Sequence, residues 1–115
     1  IHPELDVEIQ APETAKPGET VKITITVTNT GDVVIRDIWY LVWPPIRQSD
    51  LAVGDMAPGD TRVYEYEYQV PENGRRTIRF RARALGGRDF DIGIGWEFFG
   101  RRVSDSDTHR LRITR

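Results

Sequence analysis

Thr20-Val-Lys-Ile-Thr-Ile-Thr-Val-Thr-Asn29, followed by Thr30-Gly31-Asp32, decides the fold class of this chain. Val21, Ile23, Ile25 and Val27 share one face of an extended strand. Thr20, Lys22, Thr24, Thr26 and Thr28 share the other. Side chains alternate across a strand, so the pattern is half-buried β structure with one wet face. The Asn-Thr-Gly-Asp cluster then reverses the chain, with residues that tolerate positive φ and bond their own backbone.

The same alternation recurs on both sides of this strand. Leu5, Val7 and Ile9 alternate with Asp6, Glu8 and Gln10, and Ala11-Pro12 ends that run. Lys16-Pro-Gly-Glu19 and Ala57-Pro-Gly-Asp60 read as type II turns, where Gly fits the position that needs positive φ. Val33 to Trp43 is apolar until Pro44-Pro45 removes the ladder donors. Leu51–Val53 reads as a short edge strand. Thr61 to Val70 sets Tyr64, Tyr66 and Tyr68 against Glu65 and Glu67, and Pro71-Glu-Asn-Gly74 turns the chain. Thr77 to Ala84 sets Ile78, Phe80 and Ala82 against Arg79, Arg81 and Arg83. Leu111 and Ile113 mark the last strand. No amphipathic helix is legible. About seven short strands with turns between them predict an all-β, immunoglobulin-like antiparallel sandwich. A long aromatic hairpin or loop precedes its last strand.

At 115 residues, the chain from 1 to 115 is one domain, with enough surface to bury for a single core. It has no cysteine, which removes disulfides, zinc thiolates and thiol nucleophiles. No apolar run approaches the ~20 residues of a membrane-spanning helix, so no membrane insertion is expected. The chain begins at Ile1 rather than Met and reads as a processed or excised piece. Its net charge of −2 hides an asymmetry. Residues 1–74 hold 5 basic and 13 acidic side chains, whereas residues 75–115 hold 11 and 5. Of the 16 basic residues 14 are Arg, the side chain suited to planar, stacking and bidentate contacts.

The catalytic inventory is thin. His2 and His109 sit near the chain ends, and Ser49, Ser104 and Ser106 lack a nucleophile-elbow context. The glycines of Gly86–Gly95 lack the Lys and the helix of a phosphate loop. No enzyme activity, catalytic residue, metal or cofactor is expected. Alternating aspartates at Asp89, Asp91, Asp105 and Asp107 raise the question of calcium. No EF-hand spacing is present, and Asp105 and Asp107 read better as turn residues.

The frame Val7-Glu-Ile, Lys16-Pro-Gly-Glu-Thr-Val, Thr26-Val-Thr-Asn-Thr-Gly-Asp32, Val53-Gly-Asp-Met-Ala-Pro-Gly-Asp-Thr61, Tyr66-Glu-Tyr-Gln-Val70 and Val103-Ser-Asp-Ser-Asp-Thr108 resembles the immunoglobulin-like repeat domains of prokaryotic surface proteins. These include the CARDB-type domain and the "domain of unknown function eleven" repeat of S-layer and adhesin-like proteins. The resemblance implies a non-catalytic structural or adhesion module at an extracellular, cell-surface location, working through protein–protein association. It departs from a plain spacer in the aromatic stretch 85–102 and in the tryptophans of Val33–Trp43.

Those departures supply the candidate binding residues. With Ile38, Tyr40 and Val42 inward, Asp37, Trp39, Leu41 and Trp43 point outward. In an immunoglobulin topology this strand pairs with Thr77–Ala84, and that with the last strand. Trp39 and Trp43 then stand beside Arg79, Arg81, Arg83, Arg110 and Arg112, where stacked guanidinium groups would cover the indoles or a partner would dock. The opposite sheet shows Asp6, Glu8, Thr24, Thr26, Glu65 and Glu67. The stretch 85–102 adds Phe90, Trp96, Phe98 and Phe99, either closing one end of the sandwich or docking into a partner. The expected partner is protein: a neighbouring domain, a like subunit or a surface protein. An ordered assembly that docks through the 85–102 arm and a carbohydrate-binding module that uses the tryptophans are the alternatives. Nucleic acid is not expected, because the net charge is negative and no binding motif is present.

Overall fold

A computed structural model describes residues 2–43, 52–74, 76–88 and 102–114. Among the described residues, eight strands form two sheets. The smaller has the order β1-β3-β6, from β1 (Leu5–Gln10), β3 (Thr20–Asn29) and β6 (Thr61–Gln69). The larger has the order β2-β8-β7-β4-β5, from β2 (Thr14–Ala15), β8 (Arg102–Ile113), β7 (Thr77–Arg88), β4 (Ile35–Trp43) and β5 (Ala52–Met56). The all-β sandwich therefore stands, with β2 as an eighth strand. This two-residue strand pairs parallel with the end of β8, so the chain visits the larger sheet between β1 and β3 of the smaller one.

The alternation of β3 does what its pattern demands. Val21, Ile23, Ile25 and Val27 are buried, and they face Tyr40, Phe80 and Leu111 from the opposite sheet across the core. Tyr40 stacks on Tyr64 at 4.6 Å between centroids, and Phe80 meets Tyr68 edge-on at 5.1 Å. Such pairs add roughly 0.5–1.5 kcal/mol beyond area burial. The two Pro-Gly turns form as expected, with Gly18 at φ 80° and Gly59 at φ 85°.

The turn after β3 bonds its own backbone through Asn29 as expected, but without positive φ. Glycines aside, Asp37 alone has positive φ among the described residues, so no residue of Asn29–Asp32 uses that conformation. Asn29 is instead wholly buried. Its Nδ2 donates to the carbonyls of Val33 and Met56, both at 2.9 Å, and its Oδ1 accepts from Gly31 N–H at 3.0 Å. Its own N–H donates to Asp60 O at 3.0 Å, and its carbonyl accepts from Gly59 N–H at 2.9 Å. One amide thus ties together the ends of β3 and β5 and the second Pro-Gly turn. Gly31 is needed for close approach, since a Cβ there would lie 2.6 Å from Glu4 N. The His2 N–H, 2.6 Å from Asp32 Oδ1, holds that carboxyl below its ordinary pKa.

Asp105 and Asp107 are also corrected. They lie within β8, not in a turn, and they face the gap between the sheets. Asp105 Oδ2 accepts from Val7 N–H at 2.7 Å, and Asp107 Oδ2 from Ile9 N–H at 2.8 Å. His109 Nε2 lies 2.9 Å from Pro12 O. Two inward carboxylates two residues apart therefore cap the free edge of β1, in place of a strand partner, and His109 reaches the chain just beyond it. An uncapped edge is a template for unwanted pairing.

Candidate functional site

The outer face of the five-stranded sheet depends on one irregularity in β4. Ile35 and Ile38 are both buried, although residues three apart on a flat strand point to opposite faces. A β-bulge after Arg36 supplies the extra residue. Asp37 takes φ 52°, its N–H donates to Asp55 Oδ1 at 3.0 Å, and Arg36 Nη1 donates to Asp55 Oδ2 at 3.1 Å. Asp is one of the few residues other than Gly that adopt this left-handed backbone. Under the bulge lies Gly86, where a Cβ would come 2.6 Å from Ile35 Cγ2 and 2.8 Å from Ile38 Cγ1. Without the bulge, the phase set by Ile35 would turn Trp39, Leu41 and Trp43 into the core. With it they point to solvent, at 51%, 52% and 67% exposure.

Register fixes their neighbours. Trp43 lies opposite Arg81, which lies opposite Thr108. Leu41, Arg83 and Ser106 form the next row, and Trp39, Leu85 and Ser104 the one after. Beyond Trp43, Arg79 faces Arg110 and Thr77 faces Arg112. A groove of ≈ 240 Å³ lined by Asp37, Trp39, Leu85, Gly86 and Gly87 marks the bulge end of this face. The expected grouping of Trp39 and Trp43 with Arg79, Arg81 and Arg83 is therefore present, joined by Leu41, Arg110 and Arg112.

The reading in which the arginines cover the indoles does not hold, since Trp39 and Trp43 each stay more than half exposed. Among the described residues, none of the five arginines has an ion-pair partner; the pairs there are Lys22–Glu65 and Arg36–Asp55. Within the described residues, the five guanidinium groups take no part in an ion pair and the two tryptophans stay largely exposed. Phe90, Trp96, Phe98 and Phe99 lie outside the described residues, as do Asp89 and Asp91.

The opposite face, on the three-stranded sheet, carries other chemistry. Its rows are Asp6–Thr28–Thr61, Glu8–Thr26–Val63, Gln10–Thr24–Glu65 and Lys22–Glu67. Lys22 Nζ stands 3.2 Å from Glu65 Oε2.

Sequence reasoning found the rows of the Arg/Trp face and missed what builds it. Asp37 and Asp55 carry no recognisable motif. The one available signal was parity: Ile35 and Ile38 cannot both be core residues of a flat strand.

No family model matches the sequence, and no curated protein matches it. Among solved structures, the chain is similar to the CARDB domain of a Pyrococcus furiosus protein, crystallised in complex with di-metal ions. That likeness has a TM-score of 0.61 at 15% identity, covering 98% of this chain and 90% of that one. It is also similar to the solution structure of the same CARDB domain, with a TM-score of 0.59 at 14% identity, covering 97% and 95%. At this identity the likeness establishes the fold, a CARDB-like β-sandwich module.

Proposed function

We propose that this domain is a non-catalytic association module of a bacterial or archaeal surface protein, displayed outside the cell. In this reading it binds protein partners through the Arg/Trp face. The observation that carries the reading is the exposure of Trp39, Leu41 and Trp43 beside five arginines that have no ion-pair partner among the described residues. Trp and Arg are the residues that most often dominate interface energetics, through large rigid area and planar hydrogen bonding. The CARDB-like fold and the resemblance to repeat domains of surface proteins support the location and the structural role.

The face favours binding over chemistry. Ser104 and Ser106 point outward from β8, whereas His109 points inward to Pro12. The hydroxyls and the imidazole thus lie on opposite sides of one strand, out of reach for base-activated nucleophilic attack.

Poly-L-glutamate serves as a probe for carboxylate-bearing protein. The wild-type domain is expected to bind it with Trp fluorescence change and to release it as salt rises. Replacing Arg79, Arg81 and Arg83 together with Ser should abolish binding, and Trp43→Ser should weaken it. Neutral dextran and polygalacturonate are the glycan controls. Equal binding by wild type and the triple variant contradicts the proposal. A preference for a glycan polymer transfers the face to carbohydrate.

A further inference from the structure

The two outer faces of this one chain complement each other. The Arg/Trp face presents long side chains over three adjacent strands, β4, β7 and β8. The other face is also three strands wide, in the order β1-β3-β6. Its middle strand carries the short side chains Thr24, Thr26 and Thr28, with Lys22 as the one long exception toward its end. Strands lie about 4.8 Å apart in any sheet, so the two faces match in width. Charge matches as well: Arg79, Arg81, Arg83, Arg110 and Arg112 on one, Asp6, Glu8, Glu65 and Glu67 on the other. The acidic face also exposes one large aliphatic group. Val63, 56% exposed, lies in the row that ends in Glu8 and next to Glu65 along β6. Leu41, 52% exposed, lies opposite Arg83. Each face therefore holds an apolar group beside charges of one sign, and the sign is opposite on the two.

We propose that the partner of the Arg/Trp face is a second copy of this domain, seated through the outer face of its three-stranded sheet. This rests on the reading of the Arg/Trp face as a protein-docking surface and adds the identity of the occupant. The contact joins two different surfaces, so each copy keeps one free face of each kind. Such head-to-tail contacts grow into rings or open chains rather than stopping at a dimer. Guanidinium–carboxylate contacts across the interface set the register, and the indoles lie on the floor of Thr24 and Thr26. Salt weakens the association, because charges at the rim are screened.

The test is sedimentation velocity of the wild-type domain from about 1 µM to 1 mM, the range in which contacts of modest affinity form. Two charge-reversed variants accompany it: Arg81→Glu with Arg83→Glu, and Glu65→Arg with Glu67→Arg. All four positions are exposed, and thermal melts confirm that both variants fold. The wild type is expected to sediment faster as concentration rises, without a fixed end point. Each reversed variant alone should lose association by about 100-fold, since it sets like charges against each other. A 1:1 mixture of the two should regain it, because their reversed faces complement each other. Association that neither reversal weakens, or that mixing does not restore, overturns the proposal. A wild type that stays monomeric throughout also overturns it. If that monomer still binds poly-L-glutamate through Trp39 and Trp43, only the identity of the partner fails. If it binds neither, the docking face fails too.

Discussion

The two sheet faces stand over one core and obey different rules. On the three-stranded sheet the exposed side chains are mostly short or acidic, no two acidic residues lie opposite each other, and Lys22 pairs with Glu65. On the five-stranded sheet Arg79 lies directly opposite Arg110, and Trp43 is 67% exposed. Like charges placed opposite each other in a sheet are destabilising, and indoles gain nothing from water. The first face is what folding alone would select, and the second is not. Its composition does not follow from the needs of the sandwich, and the proposed docking role accounts for it.

The largest expected effect separates the faces by detaching a strand from one of them. Asp105→Ala with Asp107→Ala removes the acceptors that cap β1, the strand bearing Asp6 and Glu8. Hydrogen bonds to charged groups contribute about 1.5–3 kcal/mol each, so the double variant loses about 3 kcal/mol or more. Amide exchange at Val7 and Ile9 should rise sharply while the Arg/Trp face keeps its poly-L-glutamate binding. Equal loss of binding would mean that the faces are not separable.

The second effect acts on the bulge that turns the tryptophans outward. Gly86→Ala presses a methyl group against Ile35 and Ile38 and costs about 1–3 kcal/mol by overpacking. Asp37→Ile places a β-branched side chain at φ 52° and costs about 1–2 kcal/mol, whereas Asp37→Gly is tolerated. Chemical denaturation measures all three. A neutral Asp37→Ile would show that the bulge is not held as described.

Smaller effects sharpen the contrast on the faces themselves. Trp43→Ser should change stability by no more than about 0.5 kcal/mol, as expected of an exposed side chain, while weakening binding. Arg110→Glu should raise stability by about 0.5 kcal/mol, since it turns a repulsive cross-strand pair with Arg79 into an attractive one. The smallest change is Lys22→Ser, which removes an exposed ion pair of about 0.5 kcal/mol or less and leaves the Arg/Trp face untouched. Thermal melts beside poly-L-glutamate titrations resolve these three.

Much of this contrast is legible in the residues. Alternation in β1, β3, β6 and β7 assigns each side chain to the core or to solvent, and the Pro-Gly turns mark the reversals. What stays hidden depends on partners distant in sequence. Asp105 and Asp107 invert the usual pattern, with carboxylates inward and Ser104 and Ser106 outward. Nothing local shows that the β1 edge, nearly a hundred residues away, supplies their donors. Asn29 reads as a turn residue and does bond Gly31 N–H, but nothing local shows that its amide also joins Val33 and Met56. The strand β2 has two residues, too few for any period to show. The shift of phase at Asp37 needs Asp55 and Gly86, which come from β5 and β7.

The most direct test of the central claim follows both faces at once. In amide-correlated NMR spectra, the indole N–H signals of Trp39 and Trp43 report on one face, and the backbone amides of Thr24 and Thr26 on the other. During titration with poly-L-glutamate, the two indole signals should move together with the signals of Arg81 and Arg83, while those of Thr24 and Thr26 stay still. Shifts centred on Thr24 and Thr26, or no shift of either indole, would contradict the assignment of the Arg/Trp face as the binding surface.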